Sequence, residues 1–410
     1  MAAKMSRRQF LVSSGVVGAT ALAAGAGVVS FRRLAAAGQA NPLPVGAGIV
    51  VLVTMYGGND GLNTVIPYQD SAYYSGRPQL AYDQASVLPL AEGMGLNPSM
   101  TGFKKLYDTG RLAVVRGVGY PAPDRSHFRS MAIWQTGSPD AVVPTGWLGR
   151  WLDANGADPL LAVNVGPVLP PMLAGQRCAG AAVPAAGGIA LPPGPLGQGL
   201  RSLDTVTSGG TTLLERVTQS GADLQRLAAA VGPALAAQGP GAGAAPGSAA
   251  KAGDLSSQLD IVAACIAANA PTRIYTVSLG GFDTHADEKS AQSRLLGQVD
   301  QAVTDFTTKV GAGPHGPDVV VALYSEFGRR VAANASQGTD HGTASNLFVL
   351  GSSVRGGLYG DQPSLTDLDQ GDLKYNVDFR SVYATLLERT LRTDADNILA
   401  TARLPRVDFV

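Results

Sequence analysis

The chain has 410 residues, and its 31 Lys and Arg side chains are balanced by 31 Asp and Glu side chains, so the formal net charge is zero. The sequence contains no basic stripe, so nucleic-acid binding has no support. The length exceeds that of a usual single-core domain, which leaves open one large α/β domain with insertions or two domains.

The first forty residues predict a twin-arginine export signal. Ser6–Leu11 (SRRQFL) has the twin-arginine pattern, an apolar Ala- and Gly-rich stretch runs on to Ser30, and small residues at Gly38 and Ala40 predict cleavage near Ala40. The alternative is a retained anchor, because the apolar stretch is long enough to span a bilayer. We therefore expect an extracytoplasmic protein, periplasmic or secreted, that uses the twin-arginine export machinery. It would touch a membrane only through an uncleaved signal.

Five apolar runs predict strands of a sheet that is covered on both faces. They are Val45–Met55, with a β-branched core at Ile49–Thr54, then Leu112–Val118, Ile274–Ser278, Asp318–Tyr324 and Leu347–Leu350. Helical patterns lie between or after them, at His127–Gln135, Trp147–Ala154, Thr211–Val231, Asp254–Ala268, Lys289–Val310 and Asp378–Leu391. Strands that alternate with helices predict an α/β fold with a mainly parallel sheet. In such sheets the chemistry gathers beyond the carboxyl ends of the strands.

Two segments have compositions typical of peripheral loops. Ala230–Lys251 is rich in Ala, Gly and Pro with almost no charge, and Ala179–Gly199 is similar. The chain has two cysteines, Cys178 and Cys265. Outside the cytoplasm they could form a disulfide, or both could be buried free thiols.

Two polar motifs follow the first two predicted strands. Asp60 lies in GGNDGLN, where glycines allow a sharp turn that brings the carboxylate to a strand end, as hard cations prefer; the alternative is a plain Asn-Asp-Gly turn. Ser126 precedes a predicted helix, whose free N–H groups favour an anion or a developing alkoxide. Alternatively, Ser126 or Asp124 serves only as the helix N-cap.

Histidines stand beside carboxylates near two later strands. Asp283 and His285 follow the third strand and could share one metal ion, or could form a hydrogen-bonded pair that fixes a loop. Asp340 and His341 precede the fifth strand between small residues and could be a site or a polar turn. Imidazole and carboxylate groups at strand ends suit Zn²⁺, Mn²⁺ or Fe.

A carboxylate also follows the fourth strand. Glu326 comes shortly after the apolar run, so it should lie at the carboxyl edge of the sheet, although Arg329 or Arg330 could neutralise it in a salt bridge. Polar motifs thus recur at the ends of four strands and at the start of the fifth. A purely structural sheet has no need of this pattern.

The motifs GGNDGLNTVIPY, SHFRSMAIWQTG, GWLGRW, GGFDTHADE, SEFGRR and GTDHGTASNLFVLG, in this order, resemble an uncharacterised bacterial family that is usually twin-arginine exported. That family is placed in the alkaline phosphatase and sulfatase superfamily, and the resemblance runs from about Ile49 to Leu391. It implies a three-layer α/β/α sandwich, alkaline-phosphatase-like, with a mainly parallel central sheet. We expect the signal at residues 1–40, and one domain over residues 41–410 with a low-complexity insertion at about 230–251.

The resemblance also implies two metal positions around a nucleophilic Ser, Thr or Cys, for which Ser126 is the counterpart. Where the superfamily has an Asp-His pair after its penultimate strand, this chain has Glu326 and Phe327, so one expected histidine is missing. Asp340 or His127 could supply the missing ligand. The implied metal ligands are Asp60, Asp283, His285, Glu326, Asp340 and His341.

These residues lead to the hypothesis of a metal-dependent hydrolase of phosphate or sulfate esters. Ser126 would attack phosphorus or sulfur, His127 stands beside it with its own role open, and Arg125 or Arg129 would hold the non-bridging oxygens. The divalent ion could be Zn, Mn, Mg, Ca or Fe, and the ester a small molecule or a polymer. The rival hypothesis is a non-catalytic envelope or binding protein on a degenerate hydrolase scaffold, which the missing histidine favours.

Overall fold

The computed structural model describes residue 29 and residues 31–166, 168–184, 254–399 and 404–410. The twin-arginine motif, the predicted helix Thr211–Val231 and the low-complexity insertion lie outside the described residues.

The described strands, in chain order, are β1 Ile49–Tyr56, β2 Val65–Ile66, β3 Leu88–Pro89, β4 Gly95–Leu96, β5 Leu112–Gly119, β6 Ala162–Val165, β7 Ala181–Val183, β8 Ile274–Gly280, β9 Val319–Tyr324, β10 Arg329–Ala333, β11 Thr339–His341, β12 Ser345–Leu350, β13 Gly357–Tyr359 and β14 Val377–Asp378. The described α-helices are α1 Phe31–Ala40, α2 Gly61–Thr64, α3 Ser71–Gly76, α4 Thr101–Asp108, α5 His127–Thr136, α6 Trp147–Ala154, α7 Leu255–Ala267, α8 Glu288–Gly311, α9 Phe379–Thr385 and α10 Ala395–Leu399. Helix α9 continues as a π-helical turn over Leu386–Thr390.

The central sheet has nine strands, most of them parallel to their neighbours. Their order is β13-β5-β12-β9-β1-β8-β6-β7, and β14 pairs with β5. Among the described strands of this sheet, only β12 runs antiparallel, between β5 and β9. Strand β1 is central, and its Val51 aligns with Tyr275 of β8 and Val321 of β9. A strand so enclosed is buried on both faces, which is why IVVLVTMY is almost wholly apolar.

Alternate residues of β1 point to opposite faces of the sheet, and each face is covered by helices. Val51 and Val53 join one buried cluster with Leu296 of α8, together with residues of α4 and α7. Val50 and Leu52 join a second cluster on the other face, with side chains of α5, α6 and α9. The molecule is therefore a three-layer α/β/α sandwich, which confirms the predicted fold class.

The last ten residues of the predicted signal segment form helix α1. Leu34 is fully buried, and Gly38 packs so closely on the chain that a Cβ there would lie 2.4 Å from the Ala268 carbonyl oxygen. The Val29 amide donates to the Ala182 carbonyl of β7 at 2.8 Å. The described part of the predicted signal thus packs on the domain in this structure, and cleavage near Ala40 stays a prediction.

Cys178 and Cys265 are both buried and unpaired, which corresponds to the free-thiol alternative. Within the described ranges, the helices are all too short or too polar to cross a membrane.

Candidate metal centre

The topology brings four chain segments that carry histidines or carboxylates to one edge of the sheet. Strands β1, β8 and β9 run parallel, and β5 shares their direction because both β5 and β9 are antiparallel to β12. Their carboxyl ends therefore meet at one edge, where β12 begins. The segment after β5 delivers His127, the segment after β8 delivers Asp283 and His285, Glu326 follows β9, and His341 lies just before β12.

Asp283 is the centre of a tight cluster. Its Oδ1 lies 3.1 Å from His341 Nε2 and 3.0 Å from His285 Nε2, and its Oδ2 lies 3.5 Å from His127 Nε2. The Nε2 atoms of His285 and His341 are 2.9 Å apart. Ligand atoms around a tetrahedral Zn²⁺ with bonds of about 2.0–2.1 Å stand roughly 3.3 Å apart. His127, Asp283 and His341 each offer a ligand atom within 4.8 Å of the other two, so these three residues have the dimensions of a site for one metal ion. His285 Nε2 adjoins two of them, Asp283 and His341.

Hydrogen bonds on the far side of two rings determine which nitrogen carries a proton. His127 Nδ1 lies 2.8 Å from Glu326 Oε1, and His341 Nδ1 lies 2.9 Å from the Arg125 carbonyl oxygen. A carbonyl and an ionised carboxylate only accept, so each Nδ1 donates and the Nε2 of each neutral ring carries a lone pair. These lone pairs face the Asp283 carboxylate, and His127 Nε2 is buried without a hydrogen bond. A cation between them would satisfy every group, as in carboxylate–histidine–metal sites.

The ionisation states agree with this assignment for two of the groups. Burial opposes ionisation of Asp283, but the hydrogen bond and the positive charge of Arg329 act against burial, and the net result is a pKa lowered to about 2. Burial lowers the pKa of His341 below its usual value, so its ring is neutral at neutral pH. The hydrogen bond with Glu326 raises the pKa of His127. At a given pH the protonated fraction is therefore larger for His127 than for His341, so metal binding would release a proton mainly from His127.

Glu326 is buried and orients His127. Besides the imidazole, its carboxylate accepts from the Gly57 amide at 2.9 and 3.2 Å and from the Ser325 hydroxyl at 3.0 Å. Burial raises the pKa of Glu326, but the hydrogen bonds from His127 and the backbone amides prevail, and the net shift is downward. The carboxylate thus lies on the ring nitrogen that faces away from the cluster. Its predicted role as a metal ligand stays a prediction.

A buried guanidinium ties the segments of the site together. Arg329 donates from Nε to the Gly58 carbonyl at 2.6 Å, from Nη1 to the Thr339 carbonyl at 2.9 Å, and from Nη2 to the Phe282 carbonyl at 3.1 Å. Nη2 also donates to Asp283 Oδ1 at 2.7 Å. The arginine that could have neutralised Glu326 therefore holds Asp283 and three chain segments instead.

Phe327 stands where a further histidine was expected. Its ring centroid lies 4.8 Å from those of both His127 and His341, so it forms an apolar wall beside the cluster. Gly58 packs against this ring with a φ of 71°, and a Cβ there would lie 2.2 Å from Phe327 Cε2. The glycine of the GGNDG motif is therefore needed for close packing as well as for its backbone angle.

Asp60 does not join the cluster. Its carboxylate forms a fully buried ion pair with Arg77 and accepts from the Leu62 amide at 3.1 Å, which caps α2. Glu288 lies beside the pair, where burial and the Asp60 charge raise its pKa, and it accepts a hydrogen bond from the Thr339 hydroxyl. Asp60 as a metal ligand stays a prediction. The sequence contains no pattern that points to Arg77 as its partner.

The remaining predicted residues surround the cluster. Asp340 Oδ1 lies 3.5 Å from His285 Nδ1, so this carboxylate faces the outer nitrogen of that ring. Ser126 is exposed at the start of α5 and makes no side-chain cap hydrogen bond. Arg129 donates to the Pro139 carbonyl at 3.3 Å. His127, which follows Ser126 in the sequence and was one of two candidates for the missing ligand, lies with its Nε2 3.5 Å from Asp283 Oδ2.

A family model described as "Protein of unknown function (DUF1501)" matches residues 212–403. A search of the curated proteins found no match. Among solved structures, the chain is similar to a protein in the alkaline phosphatase superfamily from Vibrio parahaemolyticus, with 10% identity, a TM-score of 0.40, and coverage of 89% of this chain and 72% of that chain. It is similar to the C-terminal periplasmic domain of EcEptC from Escherichia coli, solved in complex with Zn, with 11% identity, a TM-score of 0.35, and coverage of 76% and 77%.

A third similar structure is a putative sulfatase from Bacteroides thetaiotaomicron, with 9% identity, a TM-score of 0.31, and coverage of 87% of this chain and 72% of that chain. What the cluster can do follows from its own geometry.

Proposed function

We propose that this protein is an exported, metal-dependent hydrolase of phosphate or sulfate esters. The observation that carries the proposal is the convergence of three imidazole Nε2 atoms on one ionised carboxylate, at separations of 2.9 to 3.5 Å. Asp283, His285 and His341 would hold the ion, and His127 would complete the set. Export would follow from the twin-arginine motif at Ser6–Leu11.

The donor set favours particular metals. Three nitrogen donors and one oxygen donor suit Zn²⁺, Mn²⁺ or Fe, whereas Mg²⁺ and Ca²⁺ prefer all-oxygen sites. A divalent ion at this position would lower the pKa of a bound hydroxyl or water and withdraw charge from the ester.

The side chains around the ion would each have one task. Glu326 keeps the Nδ1 of His127 protonated, so that its Nε2 faces the cluster. Asp340 faces the outer nitrogen of His285 and favours the corresponding tautomer there. Ser126, adjacent to His127 and exposed, presents the candidate nucleophilic hydroxyl. The N-terminus of α5 would favour the anionic group that this hydroxyl attacks.

A second function is favoured by the number of protein donors. Structural zinc sites have four protein ligands, whereas catalytic sites keep one position open for water or substrate. In a closed four-ligand site the ion would only hold the segments of the sheet edge together. The protein would then be a non-catalytic envelope or binding protein.

Metal content and turnover together separate these functions. Protein purified without chelator would be analysed by mass spectrometry and assayed with p-nitrophenyl phosphate, bis-p-nitrophenyl phosphate and p-nitrophenyl sulfate after loading with Zn²⁺, Mn²⁺ or Fe²⁺. We expect about one ion per chain and hydrolysis of at least one ester. Bound metal without any turnover would favour the closed structural site. Absence of metal uptake would contradict both functions.

Two variants assign the roles. Ser126→Ala should lose turnover while metal content and melting temperature stay at the wild-type level, because the Ser126 side chain is exposed and does not cap α5. Full activity in this variant would exclude Ser126 as the nucleophile. His127→Ala should lose metal if His127 is a ligand, and should keep metal but lose turnover if it acts only as a proton carrier.

A further inference from the structure

Two arginines share one buried carboxylate beside the metal centre. Arg125 donates to Asp372 Oδ2 from Nε at 2.7 Å and also from Nη2, and Arg330 Nε lies 3.6 Å from Asp372 Oδ1. The Asp372 side chain is 1% exposed, whereas those of Arg125 and Arg330 are 38% and 37% exposed. The carboxylate therefore anchors two guanidinium groups that reach the surface.

Most of the hydrogen-bonding capacity of this pair is unused. Within the described ranges, Arg330 makes no side-chain hydrogen bond, and both its buried Nε and the buried Asp372 Oδ1 lack a hydrogen-bond partner. Each guanidinium has five N–H donors, and Arg125 commits only Nε and Nη2 to Asp372. Two guanidiniums thus face a single carboxylate group, that of Asp372.

The pair flanks the proposed metal ligands. The Arg125 carbonyl accepts from His341 Nδ1 at 2.9 Å, and Arg330 follows Arg329, which pairs with His341 across the β10–β11 hairpin. The imidazole of His341 thus stands between the Arg125 backbone and the metal position. Both arginines are therefore tied to the centre through the backbone, whereas their guanidiniums contact Asp372, which is not one of the four proposed donors.

We propose that Arg125 and Arg330 bind a second anionic group of the substrate. The substrate class would be an ester with two anionic groups: the reacting phosphate or sulfate and a neighbouring phosphate, sulfate or carboxylate. Guanidinium forks match such oxyanions because their N–H groups form paired, charge-assisted hydrogen bonds. Asp372 is a positioning residue that aligns both forks. This inference rests on the proposed function, since the first group is taken to bind at the metal centre.

The test uses ligands whose two ends are a variable distance apart. Alkanediol bisphosphates of increasing chain length are compared with the monophosphate of the same diol, by calorimetry on the metal-loaded protein. One added charge-assisted contact contributes about 1.5–3 kcal/mol, so at the best length the bisphosphate should bind about tenfold to hundredfold more tightly. Arg330→Gln should remove most of this advantage.

A matched control is Arg355→Gln, because Arg355 follows the end of β12 at the opposite edge of the sheet and is 63% exposed. This variant should keep the full bisphosphate advantage. Equal affinity of bisphosphate and monophosphate at every length would overturn the inference, and so would an advantage that survives Arg330→Gln.

Failure of the proposed function gives a different result. A wild-type protein that takes up no metal contradicts the hydrolase, whatever the arginines do. In that case the binding of inorganic sulfate to the metal-free protein tests whether Arg125 and Arg330 form an anion site. Weaker sulfate binding in Arg330→Gln than in Arg355→Gln supports the site, and equal binding in both variants overturns it.

Discussion

Replacement of Glu326 by Gln isolates the contribution of one carboxylate charge to the metal centre. The variant keeps the size of the side chain and an oxygen that can accept from His127 Nδ1, at 2.8 Å in the wild type. A hydrogen bond to a charged group contributes about 1.5–3 kcal/mol and a neutral one about 0.5–1.5 kcal/mol. The difference between the middles of these ranges, about 1.2 kcal/mol, corresponds to a roughly eightfold weaker metal affinity. The orientation of His127 should persist, but the nitrogen that faces the ion should become a weaker donor.

The assay is competition for Zn²⁺ with a fluorescent chelator at neutral pH. Glu92→Gln is the control, because Glu92 is exposed and its ion pair with Arg116 lies outside the cluster. The chain has only four histidines, so the imidazole signals of the metal-free protein can be followed by NMR. The pKa of His127 should lie above its usual value in the wild type and fall in Glu326→Gln. Unchanged zinc affinity together with an unchanged His127 titration would refute this role of Glu326.

The remaining predictions concern the support of the site and are measured by urea unfolding. Gly58→Ala should lower the free energy of unfolding by at least about 2 kcal/mol, because Ala would have a left-handed backbone angle and its Cβ would clash with Phe327. The control Gly110→Ala carries only the cost of the backbone angle, because no atom lies within 4 Å of its Cβ position. Equal losses in the two variants would show that the Phe327 ring moves aside. Asp60→Asn should lower the free energy of unfolding by about 3–5 kcal/mol, because it leaves the buried guanidinium of Arg77 without its anion. Glu288→Gln should cost far less, because burial raises the pKa of Glu288 and keeps this side chain neutral. The folded wild type holds a proton on Glu288 that the unfolded chain releases above the ordinary pKa of 4.5, so the wild type should lose stability relative to Glu288→Gln as the pH rises. A stability difference that does not change with pH would contradict the neutral form of Glu288.

The layers of the fold could be predicted from local patterns. The β-branched core predicted at Ile49–Thr54 forms β1 over Ile49–Tyr56, and the apolar run at Asp318–Tyr324 forms β9 over Val319–Tyr324. Both strands are buried on two faces, so nearly every side chain contributes to the pattern. The direction of β12 could not be predicted, because a short apolar run reads the same in a parallel and an antiparallel strand.

The partners within the site could be predicted only in part. Asp283, His285 and His341 were expected near strand ends, and the shared edge of the sheet brings them together. Which nitrogen of an imidazole faces which carboxylate depends on side-chain packing between distant segments, so the placement of Glu326 behind His127 has no local signal. The ion pair between Asp60 and Arg77 likewise has no local signal in the sequence.

Metal uptake by the metal-free protein tests the central claim most directly. Zinc binding would be measured by calorimetry for the wild type, for His341→Ala and for His315→Gln, whose histidine contacts Asp318 and Asn269 outside the cluster. We predict about one ion for the wild type and for His315→Gln, with a rise in melting temperature on binding, and no such binding for His341→Ala. A wild-type protein that binds no ion, or a His341→Ala protein that binds it as tightly as the wild type, would contradict the metal centre.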